Sequence, residues 1–357
     1  MAAEAESMYY PQGRAVYVMT NQDVGNAVTV FDRAADGTLT PAGTVPTGGL
    51  GAGGTSPADP LGSQGALILG KDGRFLFAVD AGSNEVSVLA VDGTGLTPVD
   101  RVSSGGVRPV SLTLHDHLLY VLNSTDETIA GFTVDADGKL SALAGSTQSL
   151  IGGDNPAAPA QVGFTPGGSH LVVTEKGTDV IDVFPVDEAG RACPPVRNDS
   201  SGPVPFGFTF AGADLLIVSE ASGATSSYRV VKDGTLEVIS GSVSSTQQAT
   251  CWVVTNSTVD PRYAYTSNTG SGSISGYRID PDGALSLLDP DGRTAVTGDS
   301  SLPVDNTVSS DDQFLYVLTG GFSELTISGF RIESDGSLTA VPGAGGLPLG
   351  TQGIAAN

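Results

Sequence analysis

The stretch "YRVVKDGTLEVISG" (228–241) decides the fold, because the same pattern runs through the whole chain. An aromatic or apolar residue leads into an Asp-Gly or acidic turn, and a short apolar-alternating segment follows. The pattern recurs as "FDRAADGTLTPAG" (31–43), "LAVDGTGLTPVD" (89–100), "FTVDADGKLSALAG" (132–145), "FPVDEAGRACPPV" (184–196), "YRIDPDGALSLLD" (277–289) and "FRIESDGSLTAVPG" (330–343). That makes seven copies, 43 to 58 residues apart. Ahead of each lies a second apolar run, such as "FLFAVD" (75–80) or "LLIVSE" (215–220), and ahead of six of those a third. Alternating, β-branched and aromatic segments separated by Gly-containing turns are antiparallel strands. A four-stranded unit at this period is a propeller blade.

The expectation is therefore an all-β, seven-bladed β-propeller over residues 14–357, preceded by an N-terminal extension at 1–13. The tail "GTQGIAA" (350–356) echoes "GSQGALI" (62–68). It is expected to supply the innermost strand of the first blade and so close the ring, which removes two open sheet edges.

Composition limits the partners. With 16 basic and 39 acidic residues the net charge is −23, which disfavours nucleic acid and anionic membrane surfaces. Two cysteines, Cys193 and Cys251, are too few for a disulfide framework. A monomer acting on a small molecule is the expected form.

The repeat register also names the residues expected at one mouth of the channel, where innermost strands start and second strands end. The first set is Gln64, Ser111, Gln161, Pro205, Cys251, Asp305 and Gln352. The second is Thr20, Asp80, Asn123, Glu175, Glu220, Asn268 and Thr319. Carboxylates gathered near one axis raise one another's pKa and suit acid–base work, so Glu220 and Glu175 are the catalytic candidates. Gln64, Arg108, Gln161, Cys251, Trp252, Asn268, Asp305 and Gln352 are the candidate substrate contacts. The alternative occupant is a divalent cation such as calcium in an oxygen cage of Asp80, Glu175, Glu220 and Asp305. "GLGAGGTSPADPLGSQG" (49–65) reads as a long mobile loop near the same mouth, a candidate lid. His115-Asp116-His117 falls where other repeats read "GKDGR" or "TPGGS" and is expected to be a turn between strands, at the opposite end of the ring.

The chain resembles the lactonase-family seven-bladed propellers, the group of 6-phosphogluconolactonase and the fungal 3-carboxymuconate lactonizing enzyme. The likeness rests on "AVYVMTNQDVGNAVTVFDRAADGTLTPAGTV", "GGVRPVSL", "VVTEKGTDVIDVFPVDEAG", "YAYTSNTGSGSISGYRIDPDGAL" and "FLYVLTGGFSELTISGFRIESDGSL". It looks most similar to actinobacterial members, many of which carry an export leader, so the resemblance implies a secreted protein, with a cytoplasmic one as the alternative. It also implies lactone hydrolysis or lactonizing chemistry at the axial funnel, and there the residues depart from the family. Its Pro-His-x-His segment reads Ala157-Ala158-Pro159-Ala160-Gln161 here. Its Gly-Pro-Arg-His reads Gly202-Pro203-Val204-Pro205, and its Ser-Asn-Arg-Gly reads Ser267-Asn268-Thr269-Gly270. Only the acid Glu220 matches. A neutral or cationic substrate is expected, with a non-catalytic binding propeller or a metal-dependent hydrolase as the alternatives.

Overall fold

A computed structural model describes residues 13–54, 59–153, 155–257, 262–298, 301–321 and 323–357. Twelve of the thirteen residues of the expected N-terminal extension, 1–12, lie outside that set. Seven antiparallel sheets, each built as a meander, account for every described strand. The innermost strands are Ile354–Ala356, Leu67–Leu69, Pro109–His115, Pro159–Phe164, Pro205–Ala211, Thr250–Thr255 and Leu302–Val308, for blades 1 to 7 in order. Five sheets have four strands; in blades 3 and 6 the outer strand is broken into two short pieces. The described residues contain no helix.

The tail closes the ring as the repeat predicts. Ile354–Ala356 pairs antiparallel with Ala15–Met19, in the register Val16↔Ala356, Tyr17↔Ala355 and Val18↔Ile354. Blade 1 is thus assembled from both ends of the sequence, and a side-chain bond seals it. Tyr316 of blade 7 donates its hydroxyl to the Gly37 carbonyl in the blade 1 turn (2.8 Å). Tyr120 reaches Gly190 of blade 4 in the same way (2.8 Å), and Tyr265 reaches Gly336 of blade 7 (2.9 Å). The 7-to-1 junction is therefore built like the 3-to-4 and 6-to-7 junctions.

The repeated motif explains the core. Its lead residues Phe31, Leu89, Phe132, Phe184, Tyr228, Tyr277 and Phe330 all expose 4% or less, each burial contributing about 1.5–3 kcal/mol. The turn glycine that follows serves as a packing face. At Gly37 φ is 90°, and a Cβ there would lie 2.3 Å from the Phe314 ring of the preceding blade. Glycine is needed for both reasons.

Candidate functional site

Five inner strands begin with a register shift against their partners: Pro109/Ser111, Pro159/Gln161, Pro205/Phe208, Thr250/Trp252 and Pro303/Asp305. Such a bulge inserts one residue and re-aims the side chains around it. Ahead of four of these bulges stands a non-glycine residue in left-handed conformation: Arg108 (φ 62°), Ala158 (46°), Val204 (60°) and Ala249 (55°). The bulge offsets the residues counted from the repeat. Cys251 and Gln352 stand at the level of the inserted residue, whereas Ser111, Gln161 and Asp305 stand one level further in, beside Trp252.

The strand-start end of the axis is closed. Residues 59–65, expected to belong to a mobile lid, lie across it and are tied to other blades. Trp252 donates Nε1–H to the Ser63 carbonyl (2.9 Å), and Gln352 both donates to Ser63 O (2.9 Å) and accepts from Leu61 N (2.9 Å). Arg108 donates to Pro60 O (2.8 Å), and the Lys176 ammonium donates to Gly62 O and Pro159 O while sitting 4.9 Å above the Phe206 ring. Leu61 is buried, and Gln64 reaches across to exchange two hydrogen bonds with the Val253 backbone (2.9 and 3.0 Å). Residues 55–58 of that expected loop lie outside the described residues. Arg108, Trp252, Gln352 and Gln64, expected to contact substrate, here hold this segment in place. Burial shapes the charges in and beneath it: Asp59 is pushed up to about 6, Lys176 is lowered, and the Cys251 thiol is pushed up to about 12.

The acids at the ends of the second strands do not converge on the axis. Asp80 is fully buried and accepts from Asn26 (2.9 Å), Thr47 (2.7 Å) and Ser87 (2.6 Å). Glu220, equally buried, accepts from Ser226 and from Ser242 (2.7 Å). Glu175 accepts from Thr178 (2.5 Å) and Gly152 N (3.3 Å). Asn268 is enclosed by Thr250, Ser273 and Ser275 (2.7, 3.1 and 2.8 Å). These bonds tie the end of each second strand to other strands and turns of its own blade or of the connection and blade before it. A carboxylate supplied with buried donors is a structural anchor. Among the described residues no group of three or more His, Cys, Asp or Glu side chains is placed to hold a metal ion, so Asp80, Glu175, Glu220 and Asp305 do not form the expected cage. The physical reason is orientation: Asp80, Glu175 and Glu220 turn outward along their sheets, toward those donors.

The open end of the channel is the other one. A cavity of about 440 Å³ is bounded by all seven innermost strands. Its wall is largely apolar, with Leu67, Leu112, Val162, Phe208, Val254 and Ile354, and its outer part carries Thr113, Thr209, Thr307 and Lys71. At its blind end lie Gln64, Gln161 and Asp305, with Asn306 beside them. Gln161 is engaged by the Phe208 backbone (2.7 and 3.0 Å). Asp305 and Lys71 are the ionisable groups in this wall among the described residues. Burial lifts the Asp305 carboxyl well above the usual carboxylate range and Asp59 adds to the lift, against N–H donors from Asn306, Gly353 and Ile354.

The His-Asp-His stretch is the expected turn, with Asp116 at φ 51° between paired strands. His115 packs 5.6 Å from the Phe164 ring, while His117 lines a separate cleft of about 410 Å³ with Arg74 and Phe75. The two imidazoles serve different blade interfaces. Repeat counting missed Asn306. A comparison of the inner strands level by level would have found it, since "LPVDNTV" (302–308) alone puts Asp and Asn where the others are almost all small or apolar.

Comparison with known proteins agrees with this architecture. Residues 7–151 match the family described as lactonase, 7-bladed beta-propeller. The 6-phosphogluconolactonase of Yersinia enterocolitica is 26% identical over 212 residues, and that of Yersinia pestis 24% over 210. Each match spans 58% of this chain and 58% of the relative's length. Among solved structures, a putative 6-phosphogluconolactonase from Bacteroides fragilis superposes with a TM-score of 0.74 at 18% identity, covering 100% of both chains. The periplasmic gluconolactonase of Pseudomonas aeruginosa gives 0.69 at 19%, covering 96% of this chain and 99% of its own. At these identities the structures speak for the fold. The chain is thus a seven-bladed β-propeller whose residues 7–151 match the lactonase family, and over 58% of its length it is similar to 6-phosphogluconolactonases.

Proposed function

We propose that the protein opens small, uncharged lactones inside its central channel, which substrate enters from the end carrying the strand-one-to-strand-two turns. The observation that carries this is the axial cavity of about 440 Å³ ending on Asp305. A lifted carboxyl at the blind end of an apolar pocket is suited to proton transfer. In its ionised form Asp305 takes a proton from water as the water oxygen bonds to the lactone carbonyl. It then returns that proton to the ring oxygen as the ring C–O bond breaks, which leaves a hydroxy acid. Lys71 is the one base in the described wall, so nothing there matches a phosphorylated sugar, and a neutral ring fits better. Glu220 is assigned a structural role because its oxygens are held by Ser226 and Ser242.

The test is turnover of unsubstituted γ- and δ-lactones against 6-phosphogluconolactone, with wild type and Asp305→Asn. Neutral rings should be opened and the charged one spared, with roughly a 100-fold or greater loss in the variant. A wild-type protein that opens none of them, or an Asp305→Asn variant of undiminished rate, overturns the reading. Saturable binding of a neutral lactone without turnover would instead establish a binding propeller, a reading favoured by the absence here of the family's His and Arg residues.

A further inference from the structure

The seven inner strands can be compared level by level through their register. At the level of Asn306 the other six present Leu67, Leu112, Val162, Phe208, Val253 and Ile354, all apolar. Blade 7 alone places an amide there. Asn306 is 4% exposed and lines the channel cavity next to Asp305. Its Nδ2 donates to Ser267 Oγ (3.0 Å) and reaches the Trp252 carbonyl (3.5 Å). Because a carbonyl can only accept, the amide is held with its NH₂ toward blade 6. Its Oδ1 is then left without a hydrogen-bond partner. A buried acceptor without a donor is costly, and such a group in a native fold calls for an explanation.

We infer that Asn306 is a specificity-determining residue of the channel, whose Oδ1 accepts a hydrogen bond from a hydroxyl on the bound ring. The preferred ligand class is therefore a hydroxylated neutral lactone, with an apolar body against the strand walls and one O–H donor beside the scissile ester. The inference rests on the channel being the ligand site, as proposed above. A site built to satisfy a polar group discriminates strongly against the analogue that lacks the partner, since the orphan acceptor then stays unpaired.

The experiment compares binding, by ligand-observed NMR titration, of α-hydroxy-γ-butyrolactone and γ-butyrolactone to the full chain and to Asn306→Ala and Asn306→Leu. Wild type should favour the hydroxylated ring by roughly 10- to 100-fold. Both variants should lose the preference while keeping their affinity for the unsubstituted ring, and folding is checked by circular dichroism. Asn306→Ser, which keeps an acceptor and is smaller, should retain part of it if the leucine variant fails to fold. Equal affinity for the two rings in wild type, or binding of neither, overturns the inference. Turnover followed in the same samples separates this from the catalytic reading: a hydroxyl preference in a protein that opens neither ring supports Asn306 and overturns only the Asp305 chemistry.

Discussion

Blade 4 breaks a rule that other blades keep, and its stability should show it. At the end of the second strand, Asp80 faces Ser87 (2.6 Å), Glu220 faces Ser226, Asn268 faces Ser275 (2.8 Å) and Thr319 faces Ser328 (3.1 Å). In blade 4 the facing residue is Asp182, so two fully buried carboxyls share one place. Asp182 Oδ2 accepts from Ile151 N (2.9 Å), whereas Oδ1 finds no donor. Burial, then the neighbouring Glu175, pushes Asp182 up to about 7, against the Ile151 N–H and Arg197. A proton held on Asp182 relieves the pair. The folded pKa lies above the ordinary value of 3.8. The stabilising proton is thus fully present below about pH 4 and is lost as pH rises through about 7. Roughly 3 pH units at 1.36 kcal/mol each set a ceiling of about 4 kcal/mol. Asp182→Ser installs the donor used elsewhere. Urea unfolding should find variant and wild type within about 1 kcal/mol of each other near pH 4, and the variant more stable by about 2–4 kcal/mol near pH 8.5. The comparison of the two proteins cancels the background titration of the other acids. Parallel pH profiles would refute the argument for a proton on Asp182.

Two further outcomes follow from the geometry. Glu220→Gln puts amide hydrogens against Ser242 and Ser226, and should lower stability by about 1–3 kcal/mol while leaving kcat/KM on a neutral lactone unchanged, as thermal unfolding and steady-state assays will read. Tyr316→Phe removes the hydroxyl that closes blade 7 onto Gly37 and should cost about 1 kcal/mol in urea unfolding; an unchanged midpoint would mean that strand pairing alone seals the ring.

The ring was legible in the sequence because its signals are local and repeated sevenfold. Phe31, Tyr228 and Phe330 announce the same buried position, and the echo of 62–68 at 350–356 announces closure. Site residues were less legible, for two reasons. A bulge is one inserted residue, and it shifts which side chain faces the axis without altering the apolar pattern, so repeat spacing makes Gln352 and Asp305 equivalent although they stand at different levels. Side-chain direction at the strand ends is set by neighbours distant in sequence. Nothing near Glu220 indicates that Ser242, twenty-two residues on, will occupy it.

Which end of the channel is open depends on the one feature that does not repeat. Six blade connections are short enough only to reach the next inner strand, whereas the connection between blades 1 and 2 carries extra residues and lays 59–65 over the axis. Its hold comes from Arg108, Lys176, Trp252 and Gln352, placed on four different blades. Those side chains have the composition of a binding site because they bind something, namely the chain's own backbone carbonyls. With that end occupied from within, solvent reaches the axis from the turn end, past the threonines and Lys71, and the inner strand of blade 7 becomes the place where polar chemistry meets the cavity.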